Sequence, residues 1–157
     1  MGLPAVDPYP MPDRSAVPRS RVPWRIDPAR AALLVHDMRN HFVDACPAGL
    51  SPVVELVDNM ANVRHNAFLR SHLGRLLRSE RRDQLIICGV HAHLGVLLTA
   101  ADAVMNDIQP FVVADAVADF SAEEHTLALR WAARSGVVCT TDGLLRGLLL
   151  HREPRNA

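Results

Sequence analysis

The sequence predicts an α/β fold built on a parallel sheet, and three observations carry that expectation. Four short runs are apolar on both faces and rich in β-branched residues, the pattern of strands buried on both sides of a sheet. The intervals between them show helical apolar spacing. Polar residues gather where three of the runs stop, and ligands bind beyond the carboxyl ends of strands in open α/β sheets.

Residues 1–29 contain Pro4, Pro8, Pro10, Pro12, Pro18, Pro23 and Pro28 of the eleven prolines. Proline fixes φ and donates no hydrogen bond, so this stretch cannot be regular helix or central strand. An extended arm over the surface of a domain spanning 30–157 is expected, with Tyr9 and Trp24 as anchors. The apolar runs are 31–35, 84–88, 110–114 and 137–140. Helices are expected over 52–63, carrying Val53, Leu56, Val57 and Met60, and over 67–79, carrying Phe68, Leu69, Leu73, Leu76 and Leu77. Further helices are expected over 94–105, 121–135 and 144–150. The fourth opens on Ser121-Ala122-Glu123-Glu124, a capping-box pattern. Strands alternating with helices give a parallel sheet.

A chain of 157 residues suffices for one hydrophobic core. With 49% hydrophobic and 22% charged residues it has the composition of a folded domain. The formal net charge of +0 gives no nucleic-acid or membrane footprint. No apolar run reaches membrane-spanning length, and no long apolar stretch opens the chain, so neither a signal peptide nor a membrane helix is expected. All 17 basic residues are arginine. No lysine ammonium is therefore available, and a guanidinium hardly deprotonates. Cys46, Cys88 and Cys139 have no metal-type spacing, and the last two lie in apolar runs, which fits free thiols in a reducing cytoplasm.

The polar strand ends are His36-Asp37-Met38, the segment 89–95 (Gly-Val-His-Ala-His-Leu-Gly), and Asp115. Asp37 either caps the following helix, the commoner role, or acts in a site. His36, His91 and His93 with Asp37 invite a metal reading. Histidines at strand ends are more often hydrogen-bonded packing residues, so no metal and no cofactor is expected. No serine sits in a nucleophile elbow.

Residues 33–38 with Phe42, then 82–96, then 106–121 from Asn106-Asp107-Ile108 to Asp119-Phe120-Ser121, resemble the isochorismatase-type hydrolases. The likeness is nearest to the phenazine-pathway and siderophore-pathway isochorismatases and extends to the arm around Tyr9-Pro10-Met11-Pro12. It implies a Rossmann-like three-layer fold. It also implies hydrolysis of the vinyl ether of isochorismate, or of 2-amino-2-deoxyisochorismate, to pyruvate and a dihydroaromatic acid. Asp37 would protonate the enolpyruvyl methylene carbon, and water would capture the resulting oxocarbenium ion, with no metal or covalent intermediate. Phe42 would supply apolar wall, since a carboxylic acid of raised pKa suits proton transfer to carbon. The turn bearing Val90, His91 and Gly95 would bind the substrate carboxylate. Relatives that hydrolyse nicotinamide carry a cysteine nucleophile where this chain has Gly95, so that chemistry is not expected.

The resemblance also marks a loss. Between the helix near Met60 and Arg64, the family has two strands, a substrate-covering loop and a catalytic lysine. Its spacing places Asn62 at the lysine position, and an uncharged amide cannot act as an ammonium on the acid's pKa. His91 stands where tyrosine is usual. The family's strand order, 3-2-1-4-5-6, would shrink to about four parallel strands with run 31–35 at the edge. That apolar edge has neither charge nor proline to block pairing, so a homo-oligomer through the sheet edge is expected. Three readings result: an impaired hydrolase, an inactive binding or assembly partner in secondary metabolism, or a decayed gene product.

Overall fold

The structure is a computed structural model and describes residues 8–36, 66–69 and 71–150. Its elements in order are β1 (Ala31–His36), α1 (Leu73–Ser79), β2 (Gln84–Val90), a π-helical turn Ala92–Val96 continuing as α2 (Leu97–Met105), β3 (Gln109–Ala118), α3 (Ala122–Ser135), β4 (Val137–Cys139) and α4 (Thr141–Leu150). Among the described residues the strands form one parallel sheet in the order β1-β2-β3-β4. The expected four-stranded parallel α/β sheet is therefore present, with β1 at its edge.

Side chains of successive strand residues point to opposite faces, and this alternation builds two cores. Leu34, Leu85, Ile87, Val112, Ala114 and Val138 pack on one face against Leu77 of α1, Ala100 and Ala103 of α2, and Leu129 and Ala132 of α3. Leu33, Ile86, Phe111 and Val113 pack on the other against Trp24 and Ile26 of the arm and Leu144 and Leu148 of α4. The strand order runs in one direction, and right-handed crossovers then bring the three connecting helices to one side. The arm and α4 make the third layer. Apolar burial on both faces explains why the strands read as continuous rather than alternating runs.

The arm is tied down by polar contacts as well as apolar ones. Gln84 is fully buried; its Oε1 accepts the Asp27 N–H at 2.7 Å, and its Nε2 donates to the Arg25 carbonyl at 2.9 Å. Arg21 N–H donates to the Ala133 carbonyl at 2.9 Å, and Val138 N–H donates to Ser20 Oγ at 2.9 Å. A bidentate Arg30–Asp83 pair, both contacts at 2.7 Å, closes the arm's end. Both side chains are half exposed, so the pair contributes about 1 kcal/mol at most.

The helix expected over 94–105 opens as the π-helical turn and α4 starts at Thr141 rather than 144, and two further elements differ by more. α1 begins at Leu73 rather than 67. Asn66 Nδ2 donates to Asp102 Oδ2 at 2.7 Å, Ala67 N–H donates to Thr99 Oγ1 at 2.9 Å, and Phe68 N–H donates to Asn66 Oδ1 at 2.9 Å. Asn66 and Ala67 are thereby tied to side chains of α2, and the segment docks there as a turn. β3 runs to Ala118 instead of stopping at residue 114. Its register against β2 shifts between Ile87 and Gly89, and it then re-pairs as Gly89↔Val117 and Val90↔Ala118. The N-cap half of the expected box is present at α3, with Ser121 Oγ accepting the Glu124 N–H at 3.2 Å. The segment expected as a helix over 52–63 lies outside the described residues.

Candidate functional site

The carboxyl ends of β1, β2 and β3 lie side by side, and each delivers polar residues to the same end of the sheet. β1 ends on buried His36, β2 ends on Val90 and enters the turn His91–Gly95, and β3 ends at Ala118 before Asp119 and Phe120. His36 pairs with Gly89 across the strands. The Val90–His91 peptide is cis. Asp37, Phe42 and Asn62 lie outside the described residues, so the proton donor, its apolar wall and the lysine position remain sequence expectations.

Asp119 organises this end of the sheet. Its side chain is fully buried. One oxygen accepts the His93 backbone N–H at 2.6 Å. The other meets His93 Nδ1 at 2.7 Å and the Phe120 N–H at 2.9 Å. A carboxylate oxygen only accepts, so Nδ1 of His93 carries the hydrogen. Phe120 in turn stacks on the His91 ring, with centroids 4.2 Å apart and planes at 27°. Both histidines of the turn are thereby held from β3: His93 by the Asp119 carboxylate, and His91 by the next side chain.

The arm reaches this cluster through Tyr9. Its hydroxyl accepts the Asp119 N–H at 2.7 Å and lies 3.1 Å from His125 Nδ1. His125 Nε2 sits 3.1 Å from the Ala114 carbonyl, which only accepts. Nε2 therefore bears the hydrogen, and Nδ1 takes a hydrogen from Tyr9. A single hydroxyl thus satisfies two groups that the protein has taken out of water. Tyr9→Phe should destabilise the fold by about 1–3 kcal/mol, the cost of leaving buried partners unmet, as read by urea unfolding.

Protonation of His125 would put a second donor where the Tyr9 hydroxyl needs an acceptor. Burial lowers the His125 pKa from the ordinary 6.5, against the opposing influence of the Ala114 carbonyl and the Asp119 charge. The unfolded chain then takes up this proton before the folded one does. Stability is full above about pH 6.5 and falls as the pH drops below it, through the folded-state pKa. Unfolding free energies measured between about pH 7 and 5 should show that decline, and His125→Gln should flatten it.

Gly95 rests against His36. A Cβ added at Gly95 would stand 2.3 Å from His36 Cε1 and 2.6 Å from Nδ1. No side chain fits there while the imidazole keeps its place. The absence of a nucleophile at position 95 is thus matched by an absence of room. The two described thiols cannot substitute, because burial pushes Cys88 and Cys139 up to about 11 and keeps both protonated at neutral pH.

His93, Asp119 and Glu124 bring potential metal-ligand atoms within 4.8 Å of one another. Within that trio the Asp119 oxygens already receive two backbone N–H groups and the His93 ring.

The structure brings Val90, His91 and Gly95 together at one end of the sheet and adds Asp119 and Phe120, to which the sequence gave no role, and Tyr9, which was expected only as an anchor of the arm. Asp115 is corrected: it is not at a strand end. It accepts from Thr141 N–H at 2.7 Å and Thr141 Oγ1 at 2.9 Å, anchoring the start of α4. The reading that ended β3 at residue 114 placed the polar strand end four residues early. The apolar run Ala116-Val117-Ala118 past the aspartate was the signal that the strand continues.

Comparison with known proteins identifies the family. A model of the isochorismatase domain matches residues 55–143. The chain is 37% identical over 207 residues to the isochorismatase of Bacillus subtilis, a match covering 92% of this chain and 66% of that protein. It is 35% identical over 201 residues to the phenazine biosynthesis protein PhzD of Pseudomonas fluorescens, covering 90% and 97%. Both alignments are longer than the 157-residue chain itself, so each opens gaps inside it: the chain lacks internal residues that these relatives possess. The fold superposes on an isochorismatase-like hydrolase from Alkaliphilus metalliredigens with a TM-score of 0.53 at 27% identity, covering 54% of this chain and 47% of that one. The match thus spans about half of that solved structure and just under two thirds of the Bacillus protein. The family model spans more than half of the chain and the PhzD relative is covered almost whole, so the chain belongs to the isochorismatase family.

Proposed function

We propose that the chain is an isochorismatase-type hydrolase acting on the vinyl ether of isochorismate or 2-amino-2-deoxyisochorismate, slowed by the loss of the family's lysine. The observation that supports it is the Val90–Gly95 turn, held against the end of β1 from which Asp37 follows directly. Val90, His91 and Gly95 would bind the carboxylate of the substrate. Asp37 would deliver its proton to the methylene carbon with Phe42 as apolar wall, and water would add to the oxocarbenium carbon. The hemiketal would then release the dihydroaromatic alcohol and leave pyruvate. Neither metal nor cofactor is needed for these steps. Purified chain mixed with isochorismate should release pyruvate slowly, and Asp37→Ala should abolish the release.

A second reading follows from the missing lysine: an inactive member that binds an enzyme of the same secondary-metabolite pathway. Absence of turnover, together with saturable binding of such an enzyme, would select it. Free thiols at Cys88 and Cys139 support a cytoplasmic setting for either reading. Among the described residues no helix is long and apolar enough to cross a membrane. The half-buried apolar β1 at the sheet edge supports pairing with a second copy. Sedimentation should show a dimer or larger species, and a stable monomer would contradict the pairing.

A further inference from the structure

We propose that Asp119 is a positioning residue for substrate binding: it holds the Val90–Gly95 turn through His93 and Phe120, and is itself fixed by Tyr9 of the arm. The inference rests on the hydrolase reading and names residues which that reading leaves out.

Asp119 differs from an ordinary loop aspartate in where its bonds go. An aspartate that only capped its own turn would spend its oxygens on nearby backbone, as Asp13 does with the N–H groups of Ser15 and Ala16. Asp119 spends one bond that way, on Phe120, and sends the other two 26 residues back to His93. Backbone and ring of one residue are gripped together, which fixes both the position and the rotation of the turn between His91 and Gly95. A buried carboxylate with charge-assisted bonds makes a stiffer tether than a neutral amide.

The clamp is also prevented from shifting. The Asp119 backbone is pinned by the Tyr9 hydroxyl at 2.7 Å, and that hydroxyl is oriented by His125. Phe120 adds a second hold by stacking on His91. On the opposite side the turn abuts the His36 ring, which Gly95 approaches too closely for any Cβ. The turn is therefore gripped from β3, from the arm and from the end of β1. Groups that bind a small carboxylate lose affinity when displaced by a fraction of an ångström, so the tether's stiffness should appear in binding.

The test uses the full chain carrying Asp37→Ala, which prevents turnover, with isochorismate binding read by calorimetry and folding read by thermal unfolding. Adding Asp119→Asn replaces one accepting oxygen by an NH2 that faces an N–H donor. It should weaken binding tenfold or more. His93→Gln keeps the backbone bond and loses the ring bond, so it should weaken binding less while melting as the parent does. If Asp119→Asn fails to fold, His93→Gln decides. Long-range proton–nitrogen correlation should also show His93 as the Nδ1–H tautomer in the parent. Equal isochorismate affinity in parent and folded variants would overturn the positioning role and leave the hydrolase reading standing. No binding by the parent would overturn the hydrolase reading, and this inference with it.

Discussion

Gly89→Ala should unfasten β1 from β2 and cost the chain most of its stability. Gly89 has φ +116, a conformation that side chains disfavour. A Cβ there would also lie 2.0 Å from the His36 carbonyl oxygen and 2.7 Å from its nitrogen. The obstruction is backbone in the neighbouring strand, so no rotamer change relieves it. Backbone strain and overpacking each cost about 1–3 kcal/mol, and here both act at one position. A small domain holds only about 5–15 kcal/mol in all, so the sum is a large share of it. Urea unfolding should show a midpoint far below the parent's, or no cooperative transition. Gly74→Ala is the control, because a Cβ there meets nothing closer than 3.5 Å, at the mobile end of Arg78.

Asn62→Lys should raise turnover of isochorismate by about 10²–10³-fold, the scale on which one well-placed charge acts on a transition state. The chain contains no lysine, and arginine cannot replace one that must sit close to an acid without a bulky planar head. In the proposed site Asp37 would supply the acid, and the Val90–Gly95 turn, held by Asp119 and the arm, would bind the carboxylate. Rate gain in Asn62→Lys with KM little changed would mean the ammonium acts on the chemical step. A gain in KM alone would place it in substrate binding.

Much of the fold was legible because burial on both faces writes itself directly into sequence. The four runs around Leu34, Ile86, Val112 and Val138 are strands for that reason. The α3 start was legible because Ser121 and Glu124 interact within one turn. Elements governed by distant partners were not. Residues 67–69 were read as the start of a helix, but the segment is fastened to α2, Asn66 by its side chain to Asp102 and Ala67 by its N–H to Thr99. Asp115 interrupts β3 as a loop residue would, yet its partner Thr141 lies 26 residues ahead.

The candidate site divides in the same way. Val90, His91 and Gly95 were readable as a polar, glycine-rich strand end and by family likeness. The role of Asp119 was not, because its hold on His93 depends on β3 running four residues beyond its apparent stop. Tyr9 stood out as an aromatic in a proline-rich arm, but a separation of 110 residues from Asp119 hid what it anchors.

Pyruvate release from isochorismate, measured in parallel for the parent chain, Asp37→Ala and Asn62→Lys, tests the central claim that the acid persists without its lysine. The account predicts slow release by the parent, none from Asp37→Ala, and faster release from Asn62→Lys. Release that survives in Asp37→Ala, or that Asn62→Lys leaves unchanged, would contradict it.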